Sequence, residues 1–292
     1  MKRKGRDAHR LTNQELPRTM LRFARVPEER LIVNADDFGF TRDVNAGIVR
    51  AHREGILTAT TLMADGNAFD DAVSLARENP ALDIGCHLTL VGSPRYPKTV
   101  ARLIEALALK RINPHEEFSG QIRKILDAGL TPTHLDTHKH THLLPPVLDA
   151  VARISEEFRV PWVRRPFDLP FQAGSAPWKA RLVNRAFRLV RRRFERVLNA
   201  HGCRYTDHFA GFQITGRFDS AELAQLIRQL PDGTTEFMCH PGICGEELRA
   251  APTRLKESRE RELEALMSAE VRKTVRESRI ILSNYRDLEV SG

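Results

Sequence analysis

The sequence has few cysteines and no long apolar run. Its 292 residues include four cysteines, and no two of them form a Cys-x-x-Cys pair. This excludes a disulfide framework and a closed structural zinc site, and it predicts reduced thiols in a cytoplasmic protein. No run reaches the roughly 18 apolar residues of a transmembrane helix, and residues 1–30 lack the apolar core of a secretory signal. With 41% hydrophobic and 29% charged residues, the composition is that of a globular protein.

Positive charge is concentrated in two segments. Of the formal net charge of +8, residues 176–196 carry +7 and residues 1–30 carry +5, so the rest of the chain is net negative. Apolar residues recur at helical spacing through 182–197 with arginines between them, which predicts a basic amphipathic helix. Such a helix packs on its own domain with a solvated basic face, or it contacts an anionic membrane. We expect no nucleic-acid partner, because the basic charge lies outside the strands that carry the polar motifs.

Short apolar segments alternate with helical patterns along the chain. The pattern predicts strands near 31–35, 58–64, 82–90, 133–136, 160–164, 205–212, 235–240 and 280–284. Helices are expected at 43–54, 67–78, 99–109, 114–130, 145–158, 176–199, 219–230 and 254–277. This order is typical of an α/β fold, here a TIM-barrel-like (β/α) barrel of about seven to eight parallel strands, closed or partly open. We therefore expect a basic N-terminal extension at 1–29 and a single catalytic domain at 30–289.

The first predicted strand ends at two adjacent carboxylates, Asp36 and Asp37. Adjacent acids at the end of a buried strand repel each other and lose hydration, so they favour a bound cation. The alternative is that Asp37 caps the next helix while Asp36 is solvated, since aspartate is a favoured cap residue.

Polar residues also end most of the other strands. Besides the two aspartates, they are His87, Asp136, His138, Arg164 and His240. The carboxyl ends of parallel barrel strands face one mouth, so these residues are expected to form one site.

Four histidines and Asp136 alternate with other residues at 134–142. An extended chain would place them on one side, but over a length too great for one ion. We expect His138 to be a metal ligand and Asp136 to be its partner or a substrate contact. One carboxylate with two imidazoles is typical of a hydrolytic metal site; ligand type favours Zn²⁺, with iron or Mg²⁺ as alternatives.

Four ordered motifs resemble the YdjC-like carbohydrate deacetylases, which include chitin-oligosaccharide and hopanoid-associated deacetylases. They are Asn-Ala-Asp-Asp-Phe-Gly at 34–39, Gly-Cys-His-Leu at 85–88, Thr-His-Leu-Asp-Thr-His-Lys-His-Thr-His at 133–142 and Cys-His-Pro-Gly at 239–242. The resemblance extends from about residue 31 to 287. It implies a (β/α) barrel that is often dimeric, a divalent metal ion such as Mg²⁺, and an N-acetylated sugar or glycolipid as substrate.

The resemblance also implies roles for individual residues. Asp37, His87 and His138 match the metal ligands, Asp36 matches the catalytic base, and His240 is the candidate acid. Arg164 is expected to orient Asp36 or to contact the sugar. The ligand histidines are 51 residues apart, unlike the paired histidines of nodulation-type deacetylases.

Five aromatic residues are candidates for sugar stacking or for ordinary core packing: Phe38, Tyr96, Trp162, Phe171 and Trp178. Two other functions remain open at this point. One is metal-dependent hydrolysis of a different bond, such as a phosphoester or a non-sugar amide. The other is membrane or nucleic-acid binding without activity, which predicts salt-sensitive binding and no metal.

Overall fold

The computed structural model describes residues 29–169 and 190–290. Its strands are β1 (Glu29–Phe38), β2 (Ala59–Leu62), β3 (Asp83–Leu88), β4 (His134–Thr137), β5 (Trp162–Val163), β6 (His208–Ala210), β7 (Gly233–Cys239) and β8 (Ile281–Leu282). Its helices are α1 (Arg42–Glu54), α2 (Phe69–Glu78), α3 (Val100–Ala108), α4 (Pro114–Asp127), α5 (Pro145–Phe158), α6 (described over 190–200), α7 (Ser220–Ile227), α8 (Glu246–Ala250), α9 (Glu257–Met267), α10 (Ala269–Glu277) and α11 (Tyr285–Val290).

The strands form one curled parallel sheet in the order β5-β4-β3-β2-β1-β7-β6, with β8 paired to the first half of β1. Isolated parallel bridges join Trp162 to Arg204 and Asp168 to Phe209, next to the two edge strands. The sheet is therefore a partial barrel surrounded by helices, and the predicted α/β barrel class is confirmed. The eight predicted strands are all present, although most are shorter than predicted.

The helical prediction differs from the structure in the C-terminal part of the chain. The pattern at 254–277 forms two helices, because the Ser268 hydroxyl accepts a hydrogen bond from the Val271 amide and starts α10. The short helices α8 and α11 were not predicted. Among the helices of the described ranges, none is long and apolar enough to cross a lipid bilayer.

The predicted basic helix is described only from residue 190, and 176–189 lie outside the described residues. In the described part, Phe194 and Leu198 are buried, while Arg192 and Arg193 are exposed. This part of the helix therefore packs on its own domain and exposes a basic face. Membrane contact stays a prediction, as do the extension at 1–29 and the single-domain boundary at 30–289.

The concave face of the sheet changes from apolar to polar along β1. Because strand side chains alternate, Leu31 and Val33 pack under the helices while Ile32, Asn34 and Asp36 share the concave face. Ile32 forms a small apolar cluster with Ala59, Trp162 and Tyr285 at the amino end of the strands. The polar residues are thus left at the carboxyl end, where the site lies.

Helix α1 packs directly against the loop that follows β7. A Cβ atom at Gly47 would lie 2.4 Å from the Cα of Gly242 and 2.9 Å from the backbone nitrogen of Ile243. Backbone atoms cannot move aside as a flexible side chain can, so this position requires glycine. The close approach also places the loop that contains His240 against α1.

We predict that Gly47→Ala lowers the free energy of unfolding by about 1–3 kcal/mol through overpacking. The matched control is Gly120→Ala in α4, where an added Cβ meets no atom within 4 Å. That control is expected to raise stability by up to about 1 kcal/mol, because alanine has the higher helix propensity. Urea unfolding measures both changes, and equal stability of the two variants would contradict the packing argument.

Candidate active site

The end of β1 is irregular, and this brings both consecutive aspartates to the mouth of the sheet. The register between β1 and β2 shifts between Ala35 and Phe38, and Asp37 has a φ of 71°. Helix α1 is capped by the Thr41 hydroxyl, which accepts from the Val44 amide. The alternative in which Asp37 caps that helix is therefore wrong.

Asp37, His87 and His138 lie together at the mouth, as their positions in the sequence predicted. Asp37 Oδ1 is 3.4 Å from His87 Nε2 and 3.2 Å from His138 Nδ1, and the two histidine nitrogens are 3.2 Å apart. The buried Asp37 Oδ1 has no hydrogen-bond partner among the described residues.

This triangle fits a single divalent cation. Ligand atoms at about 2.0–2.2 Å from one ion lie about 3.0–3.5 Å from each other. The three separations fall within that range, and a cation would also satisfy the unpartnered carboxylate oxygen. The role of these residues as ligands remains a prediction.

His87 is held by groups behind it. Its Nδ1 is 2.7 Å from Asp136 Oδ1, and the Thr61 hydroxyl donates to Asp136 Oδ2 at 3.1 Å. Burial lowers the pKa of His87, but the attraction of Asp136 outweighs this effect and holds the pKa well above its ordinary value. A carboxylate on one ring nitrogen fixes the ring and directs the other nitrogen to a metal.

Arg164 lies at the centre of the polar interior and is 2% exposed. Its guanidinium donates two hydrogen bonds to Asp36, at 2.7 and 2.8 Å, and one to Glu236 at 2.7 Å. It also lies 2.6 Å from Asp136 Oδ2. Burial raises the pKa of Asp36, but Arg164 outweighs burial and holds this pKa far below its usual range.

A second group that could hold a cation consists of Asp36, His87 and Asp136. Its two carboxylates already neutralise Arg164, and His87 Nδ1 is occupied by Asp136. The group that contains Asp37 is the better candidate, because its carboxylate has a buried oxygen without a hydrogen bond.

His240 lies across the mouth from the histidine pair, at the end of β7. Its Nε2 is 3.9 Å from Asp36 Oδ2, and its backbone amide donates to Glu262 Oε2 at 2.5 Å. Burial lowers the pKa of His240 to about 4, although Asp36 opposes this shift. The imidazole is therefore neutral at neutral pH.

Past Thr137 the histidine segment is not extended, so its histidines do not share one side as they would in an extended chain. A 3-10 turn covers His138–Leu143, with positive φ at Lys139 and His140. Within the described residues, His138 alone of this segment approaches Asp37. His142 instead contacts the Thr137 hydroxyl and the Arg164 carbonyl, so it supports the chain behind the site.

Three of the five candidate stacking aromatics, Phe38, Tyr96 and Trp162, are buried and belong to the core. Phe171 and Trp178 lie outside the described residues.

Two charged residues of α9 that the sequence reasoning missed reach the site. Arg259 Nη2 is 2.5 Å from Asp37 Oδ2, and Glu262 accepts the His240 amide. Both positions fall at helical spacing in the apolar stripe of Leu255, Leu263 and Leu266. Charged residues inside an apolar stripe were the signal that could have identified them.

The fold and the site together define an α/β protein with a carboxylate–imidazole cluster, a candidate mononuclear metal centre, at the carboxyl end of a curled parallel sheet. The family model described as YdjC-like protein matches residues 30–277. The chain therefore belongs to the YdjC-like family, as the motifs predicted.

Proteins named carbohydrate deacetylase are among its relatives. The chain is 32% identical to the one from Brevibacillus brevis over 277 residues, which cover 89% of this chain and 99% of that protein. It is also 32% identical to the one from Mus musculus over 260 residues, covering 75% and 83% of the two chains. A crystal structure from Enterococcus faecalis V583 shares the fold, with a TM-score of 0.69 at 24% identity over 89% of this chain and 99% of that one.

We predict that Asp136→Asn weakens Zn²⁺ or Co²⁺ binding by about 10–100-fold, because it removes the negative charge that orients His87. Calorimetric titration of the metal-stripped protein measures the affinity. Asp149→Asn, at an exposed position of α5, is the matched control and should bind as the wild type does. Unchanged affinity in Asp136→Asn would argue against His87 as a ligand.

Proposed function

We propose that this protein is a metal-dependent deacetylase that removes the acetyl group from an N-acetylated sugar, with Asp36 as the base. The observation that carries the proposal is the buried, unpartnered Asp37 Oδ1, which faces His87 and His138 beside Asp36. Relatives over nearly the whole chain are named carbohydrate deacetylases, which supports a sugar substrate and an N-acetyl bond.

Asp37, His87 and His138 would hold the cation. A divalent ion bound there supplies Lewis-acid chemistry, polarising a carbonyl oxygen and lowering the pKa of a water. Family resemblance favours Mg²⁺, and the two imidazole ligands favour Zn²⁺. A cytoplasmic location is part of the proposal, because the four cysteines are buried and are not paired with one another.

Asp36 is proposed to accept the proton of the attacking water. Arg164 and Asn34 both donate to Oδ1, while Oδ2 receives one Arg164 donor and faces His240. Oδ2 thus keeps a lone pair for the water. A carboxylate with a depressed pKa is a weak base, so it can act here only on a water whose own pKa is lowered.

Arg164 is proposed to position the base. Its bidentate contact fixes the plane of the Asp36 carboxylate, and its contacts with Glu236 and Asp136 fix the guanidinium itself. Arg164 is buried, so a direct contact with the sugar is the less favoured of its two predicted roles.

His240 is proposed to protonate the departing amine. Because burial lowers its pKa to about 4, the ring is neutral before reaction and must gain a proton during it. Asp36 Oδ2, at 3.9 Å from Nε2, is the nearest group that holds such a proton after accepting it from water. The water's proton would then be the one returned to the amine nitrogen, which balances the hydrolysis.

Asp36→Asn tests the proposed base. We expect turnover to fall at least 100-fold while metal affinity stays close to that of the wild type, since general-base catalysis contributes about 10²–10⁴-fold. The assay measures acetate release from N-acetylglucosamine oligosaccharides and N-acetylglucosaminyl lipids by protein stripped of metal and reloaded with Mg²⁺, Zn²⁺, Mn²⁺ or Co²⁺.

Asp70→Asn, on the exposed face of α2, is the control and should keep full activity. A wild-type rate in Asp36→Asn would reject Asp36 as the base. No acetate release by metal-loaded wild type on any substrate would reject the deacetylase and favour hydrolysis of another bond on the same ligands.

A further inference from the structure

Helix α9 places two charged side chains inside the protein, one turn apart. Arg259 is 1% exposed and Glu262 is fully buried. Residues three apart lie on the same helix face, so both side chains extend towards the sheet from one surface of α9. Burying charged groups is costly unless specific partners compensate them, and here the partners include two candidate site residues, Asp37 and His240.

Arg259 controls the orientation of Asp37. Its side chain passes Gly242, where an added Cβ would lie 3.1 Å from Arg259 Cδ, and its guanidinium lies 5.9 Å from the Phe40 ring. Nη2 then reaches Asp37 Oδ2 at 2.5 Å. Because this contact occupies Oδ2, the carboxylate can turn only Oδ1 towards His87 and His138.

Glu262 holds the backbone on the other side of the mouth. Its Oε2 accepts the His240 amide at 2.5 Å, and its Oε1 accepts the Gly216 amide at 2.5 Å. Gly216 belongs to the loop after β6 and has a φ of 73°. One carboxylate thus connects the ends of two neighbouring strands and fixes the start of the loop that contains His240.

We infer that α9 is a positioning element of the site, in which Arg259 sets the ligand oxygen of Asp37 and Glu262 sets the backbone of His240. One rigid helical turn then fixes the distance between the metal-binding side of the mouth and the proton-transfer side. This inference rests on the proposed function, which assigns metal binding to one side of the mouth and proton transfer to the other. Its tests use metal affinity and amide exchange, which do not depend on the substrate.

The first test is Co²⁺ titration of metal-stripped Arg259→Met and Arg259→Lys. We expect Arg259→Met to lose about 10–100-fold in affinity, the range found for groups that orient metal ligands. Arg259→Lys keeps the charge but loses the fork geometry, so an intermediate loss is expected. Arg276→Met, at an exposed position of α10, is the control and should bind as the wild type does.

The second test is Glu262→Gln, with the exposed Glu264→Gln of the same helix as its control. The amide group of glutamine can accept only one of the two backbone donors at its oxygen. We expect faster hydrogen exchange at the His240 and Gly216 amides and unchanged Co²⁺ affinity. On an active substrate, kcat should fall about tenfold or more with little change in KM, because misplacing a reacting group affects the chemical step.

The two tests should therefore give different results: Arg259→Met changes metal affinity, and Glu262→Gln changes amide exchange. Thermal unfolding of the metal-free variants identifies any that do not fold, in which case Arg259→Lys carries the first test. Wild-type affinity in Arg259→Met or Arg259→Lys, or unchanged exchange in Glu262→Gln, would overturn the inference. Absence of deacetylation in the wild type would reject the proposed function but leave these two results standing.

Discussion

The buried guanidinium of Arg164 is the interaction on which the rest of the site depends. It holds Asp36, Asp136 and Glu236 inside the curled sheet, and without it these buried carboxylates would repel one another. Removing one partner of such a buried ion pair is strongly destabilising, by about 3–5 kcal/mol. Each of the three acids then supports a different part of the mouth: Asp36 lies beside His240, Asp136 orients His87, and Glu236 fixes Arg164 itself.

This network explains why the interior is polar only at the carboxyl end of the strands. At the amino end, Ile32, Trp162 and Tyr285 pack as an apolar cluster. Asp83 accepts the backbone amides of Tyr285 and Arg286, and this secures α11 at the amino end. The fold thus keeps water from one end of the ion-pair network and leaves Asp37 and the two histidines at the other.

Much of the fold and part of the site followed from the sequence. Apolar runs predicted the strands, and the polar residues that end them predicted one mouth, because the carboxyl ends of parallel strands meet at the same edge. The structure brings Asp37, His87 and His138 within 3.4 Å of one another in the way that this argument required. The predicted contact between Arg164 and Asp36 is also present. The positive φ at His140 was not predictable, because the alternating residue pattern of the sequence continues through this position while the backbone is no longer extended.

By itself, the sequence determined which segments form strands and which polar residues end them, because strand periodicity is a local property of the backbone. The tertiary structure alone decided how those residues are held. Arg259 and Asp37 are 222 positions apart, and Glu262 reaches His240 from the same helix. No local pattern encodes these contacts, since they depend on where α9 packs against the sheet. They are, however, what leaves a single oxygen of Asp37 facing the two histidines.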